Sequence, residues 1–167
     1  LLRFQIVHLG RPVTLSDSLP MLEHMGLRVL DEHPHRIAPQ GMPVVAMHDF
    51  GVQSALPNAD MEVDTLHEVF EDAFAKIFRG DVENDDFNKL VIAARIPADE
   101  IVVLRAYAKY MRQIGFPLSQ SFIESTLAAH APVARMLVEL FKTRFDPVGG
   151  NGAGSRAAEQ QRAIESA

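Results

Sequence analysis

Apolar and polar residues alternate over residues 3–9, with Phe4, Ile6 and His8 on one side, and this period of two predicts a half-buried strand. Gly10-Arg11-Pro12 breaks it. A helix is expected to start near Ser16 or Asp17, with Leu19, Leu22 and Met25 inward and Gly26 at its end. Pro20 falls within or just after its first turn, where a missing N–H costs least. Residues 27–37 read as a second strand, Leu27 and Val29 pointing one way and Arg28 and Leu30 the other. Pro39 and Gly41 mark a hairpin loop over 38–42, and residues 44–50 form the returning strand. Residues 55–60, with Pro57 and Asn58, are a connection.

The period then lengthens to that of a helix. Val63, Leu66, Phe70, Phe74 and Ile77 line one face of a helix over 64–79, with Glu68, Glu71, Asp72 and Lys76 outside and Gly80 as its cap. A shorter helix from about Asp85 turns Phe87, Leu90, Val91 and Ala94 inward and stops before Pro97. Three further helices fill residues 101–145. Asp99 and Glu100 place negative charge at the positive dipole end of the first. Its apolar face combines Val103, Tyr107, Tyr110 and Ile114 with Leu104, Ala108 and Met111, while Arg105, Lys109 and Arg112 share an opposite face expected to be solvated. Gly115 and Pro117 end it. Ser121 and Glu124 form an S-x-x-E capping box for the next helix, with Ser119 as the alternative cap. Pro132 suits the first turn of the last, whose stripe is Val133, Met136, Leu137, Leu140, Phe141 and Phe145. Leu104 and Leu140, each in mid-stripe, are expected in the core, and Asp146-Pro147 closes the unit.

The order β-α-β-β-α followed by helices defines an α+β fold: an incomplete ferredoxin-like unit, then an all-helical segment. No fourth strand is recognisable after the helix over 64–79, so the sheet either stays three-stranded or takes a strand from elsewhere. The expected division is 1–80 for the α+β unit, 81–147 for the helical motif, and 148–167 for a flexible linker and tail helix. VGGNGAGS over 148–155 has linker composition, and Ile164 is the only large hydrophobe of the tail, which is expected to order only against a neighbour.

Composition narrows the function. With 167 residues, 47% apolar and 23% charged, the chain has the make-up of an ordinary globular protein. It has no cysteine, which excludes a disulfide framework and a thiolate metal site. No apolar run approaches the roughly 18 residues of a membrane span, and a net charge of −6 disfavours nucleic acid. Neither a membrane nor a nucleic acid is therefore an expected partner. The chain opens on Leu1-Leu2 rather than methionine and leads directly into a strand, as expected of a piece of a longer polypeptide.

Two long blocks, LRAYAKYMRQIGFPLSQSFIESTLAAHAPVARMLVELFKTRFDP and the upstream VTLSDSLPMLEHMGLRVLDEHPHRI, resemble the large-subunit, NAD-specific bacterial glutamate dehydrogenases. The resemblance covers roughly residues 1–147. It implies the N-terminal half of such an enzyme, where ACT-like domains lead into helical motifs ahead of the catalytic domain. The whole enzyme would be cytoplasmic, would use NAD, and would assemble as a homo-oligomer, with this segment contacting other domains or subunits. A possible amino-acid effector is implied by ACT domains, which commonly bind one at a domain interface near the first strand-to-helix turn. Here that turn carries Gly10, Arg11 and Thr14, and backbone N–H groups at a helix start suit a carboxylate.

Other chemistry is thin. His33 and His35 share one face of their strand, and with Asp31, Glu32, His48 and Asp49 they form the only nitrogen-and-oxygen cluster that invites a metal reading. No H-x-x-x-H spacing narrows it, and exposed hairpin histidines explain it as well, so no metal is expected. Gly149, Gly150, Gly152 and Gly154 follow a helix rather than a strand and do not spell a dinucleotide fingerprint. Neither a P-loop nor a nucleophile with a base is present, so no catalytic residue is assigned. The expectation is a non-catalytic regulatory or scaffolding segment of the dehydrogenase. A stand-alone amino-acid-binding module is the leading alternative, and a small metal-dependent enzyme the third.

Overall fold

The computed structural model describes residues 2–10, 12–38, 40–41, 43–57, 61–145 and 161–166. Three strands, β1 (Leu2–Leu9), β2 (Leu27–Ile37) and β3 (Val45–Ser54), form a sheet of order β1-β3-β2. Both neighbouring pairs are antiparallel, so β1 and β2 run parallel with β3 between them, as in a split β-α-β unit. Helices α1 (Leu15–His24) and α2 (Val63–Arg79) connect and follow the strands. This is the expected ACT-like plan.

The inward face alternates as the sequence implies: Phe4 and Ile6 of β1 stand opposite Phe50 and His48 of β3. Phe4 meets Phe70 and Phe74 of α2 edge-on, with ring centroids 5.2 and 5.0 Å apart. α1 starts at Leu15, one residue earlier than expected, and Pro20 lies in its interior. β3 is longer than expected, continuing beyond Phe50 through Gly51 to Ser54. A Cβ at Gly51 would lie 2.6 Å from Asp31 Oδ1, so glycine is what leaves room for that carboxylate above the strand. β2 carries a bulge between Val29 and Asp31, which reverses its phase. Leu27 is buried on the inner face, and beyond the bulge Glu32 and Pro34 stand opposite the inward Phe50 and His48.

Beyond α2, Gly80 takes the left-handed cap at φ +76°. A single 3-10 turn (Asp86–Asn88) runs into α3 (Lys89–Ala94), then α4 (Ala98–Gln113), α5 (Gln120–Ala129) and α6 (Ala131–Phe145). Leu90, Val91 and Ile92 of α3 are buried, and one continuous apolar core runs from Ile6 of the sheet to Val138 of α6. Arg135 of α6 donates through Nε to the Ala94 carbonyl at 2.8 Å, satisfying an end of α3 that has no partner within the helix. α5 is capped by Ser119, whose hydroxyl accepts from the Phe122 amide. The Ser121 capping box does not form, because Glu124 is buried and accepts from Gln120 Nε2 instead.

Three expectations about α4 and α6 need correction. Arg105 is not on a solvated face: it is 3% exposed and forms a buried network. Its Nε and Nη2 donate to Asp85 at 3.0 and 2.8 Å, and Nη2 also reaches Asn88 Oδ1 and the Glu83 carbonyl. The guanidinium lies 5.8 Å from the centre of the Phe87 ring. Conversely, Tyr107, Tyr110 and Ile114 are exposed, because α4 turns only its Ile101–Leu104–Ala108 stripe to the core. Leu140 is half-buried, since the small residues Ala134 and Val138 bring α6 against its neighbours. The expected linker at 148–155 lies outside the described residues; of the tail, 161–165 is helical.

Leu104→Ala is therefore expected to cost roughly 2–5 kcal/mol and Leu140→Ala clearly less, read from denaturant midpoints. Arg105→Ala should cost about 3 kcal/mol, because it strands a mostly buried Asp85 carboxylate. A cost for Arg105→Ala no larger than that of Lys109→Ala would contradict the buried network.

Candidate functional site

The turn from β1 to α1 was the expected ligand site, and its groups are already engaged. Gly10 takes φ +90°, and its N–H donates to the Val44 carbonyl at 2.7 Å, extending the β1–β3 ladder. Thr14 stands at the N-cap position in extended conformation, yet its hydroxyl donates to Asp17 Oδ2 at 2.6 Å rather than capping the helix. Ser16 Oγ lies 3.0 Å from the same hydroxyl. Arg11 lies outside the described residues. A ligand carboxylate here would share the helix start with the Asp17 carboxylate, which already uses its positive end.

The sheet separates the acids and histidines that the sequence groups together. On the outer face, Arg3 of β1 reaches across Gly51 to Asp31 of β2 at 2.6 Å and to Asp49 of β3 at 2.6 Å. His33 Nδ1 lies 3.2 Å from Arg3 Nη2. Register places Arg3 opposite Gly51, and Gly51 opposite Asp31, so one cross-strand row carries cation, gap and anion. The Arg3 guanidinium beside it holds the Asp49 carboxyl below the usual carboxylate range, and the same bond raises Arg3. On the inner face, His48 is 6% exposed; its Nδ1 lies 2.7 Å from Glu32 Oε1 and its ring stacks on Phe50. His48 Nε2 is buried without a hydrogen-bond partner.

Strand alternation separates Asp31, His33 and His35 from Glu32, and His48 from Asp49, so the six residues do not form one cluster; the bulge in β2 decides that Glu32, rather than His33, joins His48 inside. Among the described residues, no group of three or more histidine, aspartate and glutamate side chains is arranged to hold a metal ion. Sequence reading missed the Arg3 cluster because it depends on strand register. The only signal was a lone arginine in a strand whose neighbours carry Asp31 and Asp49.

A second feature lies among the helices. α4, α5 and α6 enclose an open cleft of about 770 Å³, lined by Leu104, Met111, Phe122, Leu127, Leu137 and Phe141 among others, with Arg144 as its charged wall. Its contents would be apolar. No helix among the described residues is long and apolar enough to cross a membrane.

This geometry, an ACT-like sheet unit joined through one core to a helical segment, agrees with the comparisons. The family model "Glutamate dehydrogenase, ACT3 domain" matches residues 1–66, and "Glutamate dehydrogenase, helical motif 3" matches residues 82–147. A protein of Pseudomonas aeruginosa named NAD-specific glutamate dehydrogenase is 44% identical over 144 residues, which is 86% of this chain and 9% of the relative. Proteins of the same name from Halomonas elongata and Mycobacterium tuberculosis are 39% and 42% identical, over 90% and 95% of this chain and 9% and 10% of their own. The chain belongs to the NAD-specific glutamate dehydrogenase family. It spans about a tenth of the length of the relatives it matches. The β1–α1 turn does not fit the NAD of their name. A pyrophosphate there would meet the Asp17 carboxylate, and Gly10 has already committed its amide.

The Asp49 shift has a sign. A carboxyl depressed in the folded state contributes stability above its ordinary range and loses it as pH falls through the folded value. Arg3→Gln should therefore lower the urea midpoint at neutral pH, with the gap from the parent closing in acid below the carboxylate range. A gap independent of pH would show that Arg3 acts through packing alone.

Proposed function

We propose that this chain is a non-catalytic regulatory or scaffolding segment of a large NAD-dependent glutamate dehydrogenase. The whole enzyme would convert L-glutamate and NAD to 2-oxoglutarate, ammonia and NADH in the cytoplasm, as a homo-oligomer. The observation that carries the reading is coverage: nearly all of the chain aligns with a small part of proteins bearing that name. The residues themselves offer positioning rather than reaction chemistry. Their charges are spent in structural pairs, such as Arg105 with Asp85 and Lys142 with Glu100. The exposed Tyr107, Phe122 and Phe145 at the helical cleft suit contact with other domains or subunits of the enzyme. We assign residues 1–80 to the ACT-like unit, 81–147 to the helical motif and 148–167 to the linker and tail.

Within that role, the β1–α1 turn remains the proposed effector site, through Gly10, Arg11 and Thr14. An amino acid binding there would have to displace the Thr14–Asp17 bond, letting its ammonium meet Asp17 and its carboxylate meet Arg11. The chain alone is expected to form no NADH from L-glutamate. Calorimetric titration with amino acids separates the two roles. Heat that disappears in Asp17→Ala and Thr14→Val supports regulation through this turn, and absence of heat with every amino acid leaves scaffolding. NADH formation by a contaminant-free preparation would overturn the non-catalytic reading.

A further inference from the structure

The two edges of the sheet are built differently. β2 guards its edge: the bulge after Val29 breaks the ladder, Pro34 lacks an N–H, and Asp31, Glu32 and Arg36 add charge. β1 has none of these devices. It runs for eight residues without proline or bulge, and its one charged side chain, Arg3, is tied down by Asp31 and Asp49. Because the Gly10 N–H donates to Val44, the alternation of an antiparallel pair points the backbone groups of Arg3, Gln5, Val7 and Leu9 away from β3. Beside that row lies a groove of about 410 Å³ between β1 and α2, lined by Ile6, His8, Glu71, Phe74, Ala75 and Phe78 among others. Phe78 is 36% exposed there, an apolar wall stacked on Phe74 and tilted against the His8 ring, with its remaining surface open to the groove.

We propose that the edge of β1 receives a fourth strand, antiparallel to it, supplied by a part of the same polypeptide outside residues 1–167. The inference rests on the reading of this chain as a segment of a much longer protein. The β-α-β-β-α order reserves the place beside β1 for a strand following α2. Instead, α2 leads into helices, and no strand follows it among the described residues. The relatives carry about ten times the length of chain matched here, which is ample source for a donor. A donor on the same polypeptide also binds at high effective concentration, as a free peptide does not. Its chemistry follows from the groove. The donor is an extended segment of roughly six residues, apolar at the alternate positions that meet Phe74 and Phe78, and without proline where it must donate. The glycine-rich stretch at 148–155 lacks the side chains to fill the groove.

The test is hydrogen exchange, resolved to single amides, on the complete polypeptide translated from the reading frame that contains this chain. Its intact mass is measured first. A polypeptide of only 167 residues would remove the donor and overturn both readings. In a long polypeptide, the amides of Arg3, Gln5 and Val7 are expected to exchange within about tenfold of those of Phe4, Ile6 and His8, which already bond to β3. Outward amides exchanging more than about tenfold faster would overturn the fourth strand and leave the dehydrogenase reading standing. A benzophenone amino acid introduced at Val7, in a mixture of isotopically light and heavy polypeptides, identifies the donor. Cross-links within one copy are the expected product. Mixed light–heavy cross-links at the share expected of random pairing between copies would overturn the assignment to the same polypeptide.

Discussion

The burial of the Arg105 guanidinium is the interaction on which the path of this chain depends. A guanidinium taken out of water must have its donors met and its charge balanced, or burial costs several kcal/mol. Asp85, Asn88 and the Glu83 carbonyl meet that requirement, and all three lie on the short stretch between α2 and α3. The network therefore fixes the turn that carries the chain away from the sheet. It also sets α3 so that Leu90, Val91 and Ile92 are buried in the common core. The sheet unit and the helices share that core, so neither presents a complete apolar surface by itself.

Much of this was legible in the sequence, for reasons that can be named. β2 matches its expected bounds and α2 its expected inner face except at Val63, which is exposed at the first turn, because period-two and period-3.6 patterns are strong where only one face is buried. The same logic failed on Arg105. Periodicity assigns any charge to the outside, and the partners that reverse the assignment are 17 to 22 residues away. It also overstated the apolar face of α4, since tyrosines count as hydrophobic in a pattern whether or not anything covers them. Between Ser119 and Ser121 as caps, local sequence carries too little to choose. The choice fell to Glu124, which tertiary packing pulled inward.

The candidate site was less legible than the fold. A turn with Gly10 and Thr14 looks receptive because sequence shows donors and acceptors without their partners; the structure pairs both internally. The histidines show the complementary problem. His33 and His48 appear within one short hairpin, but a single bulged residue, Leu30, sends the groups around them to opposite faces of the sheet. Family membership, by contrast, came from long blocks of ordinary residues and owed nothing to any reactive group.

Gly51 shows how closely the three strands are tied to one another. Its backbone does not require glycine, because its φ is not in the left-handed region. Only the Asp31 carboxylate above it, on its way to Arg3, forbids a Cβ. Alanine at 51 would thus be tolerated by the strand while expelling Asp31 from its ion pair, and the same alanine would be harmless where position 31 is short and uncharged. Positions 3, 31 and 51 are therefore epistatic: each constrains what the others can become, and they should change together or not at all.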